Sequence, residues 1–374
     1  MKIICDREKL LSAFQKASPV ASARSPKAIL QNVKLEVQEQ CAVFMATDLE
    51  MGIRVQVDGE GLEIQSSGSV VLPVSQFGAI LRESTGDKVE MEADPNSLQV
   101  RCGRSRFKLP VQNPDEFPAV TGFEEQKYHT VPAAAFRNAI HRTLFATDTE
   151  SSRYALGGVL LEMEADKITA VATDGRRLAK MEIKAEAIGG HATGDTMTII
   201  PQRSMQLIER TLADEDAEID IATHSNDVLI RTPKVIIYSR LVEGRFPKWR
   251  DVFPQRTQAV RIDLQVGPVY SALRQAAIVT DADSRGIDFQ FGEGKLVLKA
   301  KAAEKGDSEV EMPIAYDATP IAVTLDHQFV ADFLRALDAE RGITIEIENQ
   351  ESAALFLTDD GYGYVVMPLA RDRG

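Results

Sequence analysis

The sequence predicts an α+β fold made of three similar domains, because one strand–helix–strand pattern occurs three times along the chain. Each copy reads as a short apolar strand, about three helical turns, a charged turn and a second strand of alternating hydrophobicity. The copies cover residues 71–92, 198–221 and 323–347. Their helices start at Pro73, Pro201 and Asp326, which lie 128 and 125 residues apart, close to one third of the 374 residues. A repeat of this period indicates a triplicated domain.

The first third begins with a strand over residues 2–5 and a helix over residues 7–17, which Asp6 is placed to cap. Alternating apolar residues then predict antiparallel strands at residues 33–37, 53–57 and 97–107. The segment 112–129 is rich in proline at its start, and we interpret it as a linker.

The same order of elements returns twice. The middle third starts with a helix over residues 132–146 that has Pro132 in its first turn, and the last third with a helix over residues 268–280. Two amphipathic helices in each third suffice to cover one face of antiparallel sheets. The predicted domains are residues 1–121, 129–253 and 258–374, with linkers at 112–129 and 247–259.

Charge is distributed unevenly along the chain. The net charge of −13 favours solubility and, taken globally, disfavours nucleic acid as a partner. The helices at residues 132–146 and 267–280 nevertheless contain no acid, and they carry Arg137, Arg142 and Arg274. Such helices are either alanine-rich and partly buried, or they form a surface that contacts phosphates.

The helix at residues 326–340 does not follow this pattern. It carries Asp326, Asp332 and Asp338 against Arg335.

Cysteine use and the N-terminal sequence predict a protein of the reducing cytoplasm. The three cysteines have no C-x-x-C spacing, which argues against a disulfide framework. Charges interrupt the apolar residues of the first segment, so we expect no secretion signal. We find no run of about 18 apolar residues and expect no membrane partner.

Motifs for catalysis, metals and cofactors are missing from the sequence. There is no phosphate-binding P-loop, no H-E-x-x-H, and the five histidines are far apart. The segment 291–296 (FGEGKL) and the pair Asp174–Gly175 are typical of turns between strands. The related segment 46–55 has the aspartate but lacks this glycine, so we expect it to share the residue and not the turn. We predict a protein that is not an enzyme and binds no cofactor or metal.

Five short motifs, in this order along the chain, give a recognisable likeness. They are ATDLEM (46–51), GRSRF (103–107), ATDGRRLA (172–179), LVEGRFPKW (241–249) and YVVMPL (364–369). Together with the threefold repeat, they make the chain resemble the bacterial replicative sliding clamps, the beta subunits of DNA polymerase III. The resemblance implies a head-to-tail homodimer whose six clamp domains close a ring around duplex DNA. Two helices of each domain would line the hole, with antiparallel sheets outside.

The resemblance also implies three sets of site residues. Family positions, together with the acid-poor helices, place DNA contacts at Arg24, Arg153, Tyr154, Arg203, Arg137 and Arg142. A cleft for short peptide motifs of polymerase, clamp loader and repair proteins would be lined by Leu156, Thr173, Gly175, Arg176, Leu178, Pro247, Val252, Val365, Val366, Met367, Pro368 and Leu369. The dimer contact would involve Arg104, Arg106, Phe107 and Leu109 of one protomer with Ile278 and Val279 of the other.

Two other classes of function stay open at this point. A protein with triplicated α+β domains could bind a small ligand, or be an enzyme with an unrecognised site. A clamp paralogue devoted to repair, or made as an immune bait, would show the same motifs.

Overall fold

The structure is a computed structural model that describes residues 1–148, 155–194, 196–254, 256, 259–282 and 284–369. It divides into two compact units. Unit 1 comprises Met1–Ala134, Glu186–Ala192 and Gln206–Leu241, and unit 2 comprises Ala135–Ala185, Thr193–Met205 and Val242–Gly374. The division therefore runs through the middle third of the chain and not through the linkers.

The first third contains nine strands and two helices. In chain order they are β1 (Lys2–Asp6), α1 (Arg7–Ala17), β2 (Asn32–Val37), β3 (Cys41–Thr47), β4 (Met51–Asp58), β5 (Leu62–Ser66), β6 (Gly68–Pro73), α2 (Val74–Glu83), β7 (Lys88–Ala93), β8 (Ser97–Cys102) and β9 (Ser105–Pro110). As predicted, α1 spans residues 7–17, and Asp6 caps it by accepting hydrogen bonds from the backbone N–H groups of Glu8 and Lys9.

The described part of the middle third repeats this order and ends with a short helix in the second linker. Its elements are β10 (Tyr128–Pro132), α3 (Ala133–Thr143), β11 (Gly158–Glu164), β12 (Lys167–Thr173), β13 (Arg177–Lys184), β14 (Glu186–Ile188), β15 (Thr198–Pro201), α4 (Gln202–Thr211), β16 (Glu218–Thr223), β17 (Asp227–Arg231), β18 (Val235–Arg240) and α5 (Trp249–Val252). The α-helix predicted over residues 132–146 ends at Thr143 and continues as one turn of 3₁₀ helix.

The last third has the same arrangement. Its elements are β19 (Val260–Gln265), α6 (Val266–Ala276), β20 (Gly286–Gly292), β21 (Lys295–Ala302), β22 (Gly306–Pro313), β23 (Ile321–Asp326), α7 (His327–Arg335), β24 (Gly342–Ile347), β25 (Ala354–Leu357) and β26 (Tyr362–Val366). The segment 291–296 is the predicted hairpin turn, with Glu293 and Gly294 in the left-handed conformation at φ of 52° and 73°.

The sheets cross the borders between the thirds. In unit 1 a five-stranded sheet has the order β5-β1-β7-β8-β9, and a nine-stranded sheet has the order β14-β10-β16-β17-β18-β4-β3-β2-β6. In unit 2 the orders are β15-β11-β12-β13-β26-β25-β24-β19 and β22-β21-β20-β23. The antiparallel pairs β18–β4 and β13–β26 therefore join strands of different thirds.

Each of the six long helices connects two strands that belong to different sheets. Helix α1, for example, follows β1 of the five-stranded sheet and leads to β2 of the nine-stranded sheet. Phe14 of α1 packs edge-on against Phe44 of β3 and Phe77 of α2, with ring centroids 5.9 and 5.1 Å away. In α7, Phe333 stacks on Tyr362 and Tyr364 of β26, at 5.3 and 5.2 Å. These aromatic contacts pack α1 and α7 against their sheets.

The turn between β3 and β4 is closed by two side chains. Thr47 Oγ1 donates to the carbonyl oxygen of Met51 (2.8 Å), and Asp48 Oδ1 accepts from the N–H groups of Glu50 and Met51 (3.0 and 2.8 Å). Leu49 occupies the left-handed region at φ 80°. This conformation is unfavourable for a leucine, and the side-chain hydrogen bonds hold it in place.

The turn between β12 and β13 has the same geometry, which corrects the expectation that the two segments share only an aspartate. Thr173 Oγ1 donates to the carbonyl oxygen of Arg177 (2.6 Å), and Asp174 Oδ1 accepts from its N–H (3.0 Å). Gly175 has φ 86°, where Leu49 has φ 80°. The prediction from the missing glycine was wrong, because Thr47 and Asp48 form the turn with a leucine at the glycine position.

Two buried histidines lie side by side in unit 1. His129 of β10 is fully buried, His191 follows β14, and their Nδ1 atoms are 2.7 Å apart. His191 Nε2 accepts the backbone N–H of Thr223 at 3.2 Å, so this nitrogen carries no proton. Burial, and next to it the neighbouring His129, lower the pKa of His191, because the charged form of the ring would lose its hydration here.

We expect acid to destabilise unit 1 through His191. Its folded pKa lies below the unfolded value of about 6.5, so the unfolded chain binds the proton first as the pH falls. The stabilisation is complete above pH 6.5 and is lost below it, with a slope of at most about 1.4 kcal/mol per pH unit for one proton. Urea unfolding at pH 7.5 and 5.5 should show a smaller pH effect in His191→Gln than in the unsubstituted protein.

His224 provides the control, because its pKa is shifted in the opposite direction. Burial favours the neutral ring, but hydrogen bonds to Asp227 and Glu125 raise its pKa above the usual value. His224→Gln should therefore remove stabilisation that is present in acid and lost as the pH rises through the folded pKa. An unchanged pH dependence in His191→Gln would contradict the assignment.

Candidate nucleic-acid and peptide interfaces

Most of the exposed charged side chains on the six long helices are cations. These are Lys9, Arg82, Arg137, Arg203, Arg210, Arg274 and Arg335. The exposed acids on the same helices are Glu8 and Glu83, both in the first third. In a chain with a net charge of −13, the exposed charge on these six helices is thus mainly positive.

The acids of residues 326–340 do not form an exposed acidic face. Asp326 is buried and caps α7 by accepting the N–H of Gln328 at 2.9 Å. Asp332 pairs with Arg177 at 2.6 Å and with Arg335 at 3.0 Å. Asp338 lies beyond the last residue of the helix. The sequence suggested that α7 departs from the cationic pattern. In the structure it does not, because Asp326 is a cap, Asp332 is paired with arginines and Asp338 lies outside the helix.

The residues predicted to contact DNA fall into three groups. Arg24, Arg137 and Arg203 are exposed, which an interaction with phosphates requires. Arg153 and Tyr154 lie outside the residues that the structure describes.

Arg142 differs from the other residues predicted to contact DNA, because it is buried, and its prediction as a DNA contact is wrong. Its side chain is 5% exposed, and Nη1 lies 2.7 Å from Asp360 Oδ2. Its guanidinium carbon is 5.3 Å from the centroid of the Tyr362 ring. A buried arginine that is paired and stacked in this way ties α3 to the turn between β25 and β26 and cannot reach a phosphate.

Several of the residues predicted to line the cleft lie where β13 and β26 pair in unit 2. Leu178 of β13 lies opposite Val365 of β26, and both are almost completely buried. The chain after β26 continues along the same turn, because the N–H of Met367 donates to the carbonyl oxygen of Arg176 at 2.9 Å. The N–H of Leu369 donates to the carbonyl oxygen of Thr324 in β23, also at 2.9 Å.

An apolar cluster underlies this surface. Its buried members are Ala155, Leu160, Val171, Leu178, Ile199, Phe246, Trp249, Leu355 and Val365. Leu178 and Val365 were predicted from the sequence, whereas Phe246 and Trp249, the latter from the second linker, were not. The signal for both was present, since aromatic residues flank Pro247 in a segment otherwise rich in charge.

The residues predicted to line the cleft differ in exposure, and we call the buried ones its floor and the exposed ones its rim. Val252, Met367 and Leu369 are exposed by 59%, 49% and 37%, which is unusual for large apolar side chains. Leu156 and Thr173 are buried, Pro247 and Pro368 are half-buried, and Gly175 and Arg176 are exposed.

Val366 does not line the cleft, which corrects its place in the prediction. It is fully buried, and alternation along β26 directs it to the face opposite that of Val365.

Two sheets end in strands that carry opposite charge. In unit 1, β9 is the edge of the five-stranded sheet and exposes Arg106 and Phe107, while Arg104 is exposed just before it and Leu109 is half-buried. In β8, Arg101 lies directly opposite Arg106, an unfavourable pair of like charges.

The second of these edge strands is β22, in unit 2. It carries Asp307, Glu309 and Glu311. Ile278, just after α6, is 76% exposed and borders a surface cavity of about 440 Å³, and Val279 is half-buried.

Within the described ranges, we find no group of three or more His, Cys, Asp or Glu side chains arranged to hold a metal ion. No helix in that part of the chain has the length and apolar composition needed to cross a membrane.

Comparison with known proteins gives a consistent result along the whole chain. Residues 1–121, 130–248 and 250–370 match the family models for the N-terminal, central and C-terminal domains of the DNA polymerase III beta subunit. The beta sliding clamp of Proteus mirabilis is 30% identical over 383 residues, covering 99% of this chain and 100% of the relative. That of Vibrio cholerae is 29% identical over 379 residues, with coverage of 99% and 100%.

Solved structures show the same likeness. The sliding clamp of Pseudomonas aeruginosa bound to griselimycin is 27% identical and superposes with a TM-score of 0.91, covering 99% of this chain and 100% of that one. The DNA polymerase sliding clamp of Bacillus subtilis, at 21% identity, shares the fold with a TM-score of 0.91 and 99% coverage of both chains.

Substitution of Arg142 and Arg137 should separate stability from polyanion binding. Arg142→Ala leaves the partly buried Asp360 without one partner, and we expect the free energy of unfolding to fall by about 2 kcal/mol. Arg137→Ala, on the exposed face of the same helix, should change it by less than about 0.5 kcal/mol. Urea unfolding measures both values, and duplex binding at low salt should weaken only for Arg137→Ala. Equal losses of stability would contradict the difference in burial.

Proposed function

The chain belongs to the DNA polymerase III beta subunit family, and on that premise we propose that it is a sliding clamp of the bacterial cytoplasm. It encircles duplex DNA as a homodimer, catalyses no reaction itself, and tethers the replicative polymerase and other proteins to the template. The observation that carries the proposal is the segregation of charge, with cations on the exposed helix faces of an acidic protein. The relatives named above do not favour a paralogue dedicated to repair.

Sliding requires that DNA be held without being read. Arg137, Arg203 and Arg274 lie on three different helices, and such side chains contact phosphates without distinguishing bases. Scattered contacts also give weak, salt-dependent affinity, so retention must come from the closed ring and not from the strength of binding.

Ring closure is explained by the two edge strands. An exposed edge strand presents unpaired backbone groups that another chain can extend. If β9 of one protomer pairs with β22 of the next, the arginines of β9 approach the acids of β22, and Phe107 can pack against Ile278. The contact joins two different surfaces, so it is repeated head to tail and closes when the rotation per protomer is half a turn.

The surface around β13 and β26 supplies the binding site for partners. An apolar floor with a rim that includes Met367 and Leu369 suits a short peptide with large apolar residues. Polymerase, clamp loader and repair proteins would compete for this site through such motifs.

Encirclement predicts that DNA topology decides retention. Protein assembled on a nicked circle should co-elute with the DNA in gel filtration at moderate salt, and one cut in the circle should release it. Ile278→Asp should give monomers by sedimentation and abolish retention, because a charge would be buried in the dimer contact. Equal retention on linear DNA with free ends would show that the protein does not encircle DNA.

The cleft predicts a loss of peptide binding without unfolding. In the double variant Met367→Lys and Leu369→Lys, two ammonium groups replace the exposed apolar rim, and affinity for a polymerase-derived peptide should fall more than about tenfold. Met197→Lys is the matched control, since Met197 is 45% exposed and is not among the cleft residues. Fluorescence anisotropy measures affinity, and thermal unfolding checks the fold. Unchanged affinity in the double variant would remove the cleft from the proposal.

A further inference from the structure

The second linker carries α5, a single turn of helix whose position other elements must fix. Helix α5 spans Trp249–Val252, and a helix of four residues is not stable on its own. Its last residue, Val252, is the most exposed of the apolar residues at the rim of the cleft. The contacts that hold α5 therefore also determine where this part of the rim lies.

Apolar packing holds both ends of α5. Trp249 is buried and belongs to the cluster beneath the cleft. Phe253, the residue after the helix, packs edge-on against Trp249 with ring centroids 6.3 Å apart. It also lies against the backbone of β26, because a Cβ placed on Gly363 would come within 2.5 Å of its ring. Apolar contacts are non-directional, so they do not by themselves set the orientation of α5.

One carboxylate supplies directional contacts to the same helix. Glu162 of β11 accepts hydrogen bonds from Nη1 and Nη2 of Arg250 at 2.8 and 2.7 Å. Its Oε1 also accepts from Nε1 of Trp249 at 3.2 Å. The guanidinium carbon of Arg250 lies 4.4 Å from the centroid of the Trp249 ring, so Glu162 binds two stacked side chains at once. A bidentate contact between arginine and carboxylate fixes geometry as well as contributing energy.

Glu162 is too far from the floor of the cleft to act on a bound peptide directly. It lies opposite Thr169 of β12, which lies opposite Glu182 of β13. Two strand spacings, about 10 Å, therefore separate Glu162 from β13. Along β13, Glu182 is in turn several residues beyond Leu178 of the floor. An effect of Glu162 on peptide binding would have to pass through the residues of α5 that it holds.

We propose that Glu162 is a positioning residue of the cleft, which orients α5 so that Val252 takes its place at the rim. The inference rests on the proposed function, because it assigns a role within that peptide cleft. The apolar cluster keeps the linker on the sheet, and the carboxylate selects one orientation of it. Without Glu162, α5 stays packed on the sheet, but Val252 no longer keeps a fixed position beside the floor.

The first measurement is the affinity of the full-length protein for a fluorescein-labelled peptide from the replicative polymerase, by fluorescence anisotropy. Glu162→Ala should weaken binding by up to about fivefold, because the loss cannot exceed the free energy with which a partly exposed ion pair favours one orientation. Glu162→Gln should weaken it less, since an amide oxygen can still accept the N–H of Trp249. The midpoint of thermal unfolding should change little, because the apolar packing of Trp249 remains.

A double-mutant cycle assigns the effect to the contact between Glu162 and Arg250. Arg250→Gln should also weaken binding, and combining it with Glu162→Ala should add little, because both substitutions remove the same contact. Arg261→Gln is the matched control, since Arg261 is also an exposed arginine paired with a carboxylate of this sheet, Glu346 at 3.2 Å. It lies on β19 and should leave the affinity unchanged.

Trp249 reports on the contact directly, because it is the only tryptophan in the chain. In the protein without peptide, its fluorescence emission should move to longer wavelength in Glu162→Ala, as the indole N–H loses its acceptor and gains contact with water. Arg261→Gln should keep the emission of the unsubstituted protein.

The outcomes separate the positioning role from the cleft itself. Unchanged peptide affinity in Glu162→Ala overturns the role of Glu162 and leaves the cleft intact. Losses that add in the double variant also overturn it, as does a large fall in the unfolding midpoint, since Glu162 would then stabilise the fold. Failure of the unsubstituted, folded protein to bind the peptide overturns the cleft, and with it the positioning role.

Discussion

The pairing of β18 with β4 and of β13 with β26 is the interaction on which the other features depend. Each pair joins strands from different thirds through backbone hydrogen bonds, so the sheets continue across the borders of the repeats. The chain leaves both joints in the same way, since Arg240 donates to the Glu50 carbonyl and Met367 to that of Arg176, each at 2.9 Å. The same backbone geometry therefore occurs twice, and the second joint lies at the proposed cleft.

The distribution of charge on the helices follows from the way they connect the sheets. A helix that connects two sheets buries one face and leaves the other in solvent, and in this chain the charged residues on the solvent faces are mainly cations. Acids that occur on helices are used locally, as Asp326 is in its cap and Asp332 in its pair with Arg177. The negative charge of the protein as a whole is therefore compatible with binding a polyanion at one kind of surface.

Local features were predicted well from the sequence, and features set by distant residues were not. Helix starts at Asp6 and Asp326 depend on a few neighbouring residues, so their pattern is visible in the chain. The burial of Arg142 depends on Asp360, which is 218 residues away, and no local signal shows that pairing. The cleft is predicted by resemblance, whereas the burial of Trp249 beside Leu178 and Val365 depends on how a linker packs.

The position of the joining strands along the chain also orders its assembly during synthesis. The nine-stranded sheet needs no residue beyond Arg240, so it can form while the last third is still being made. The eight-stranded sheet cannot close until Val366 has left the ribosome, because β26 lies between β13 and β25. Until then β13 is an unprotected edge, which is the kind of surface that associates with other nascent chains. The sheet that carries the proposed cleft is thus completed only after the nine-stranded sheet can form.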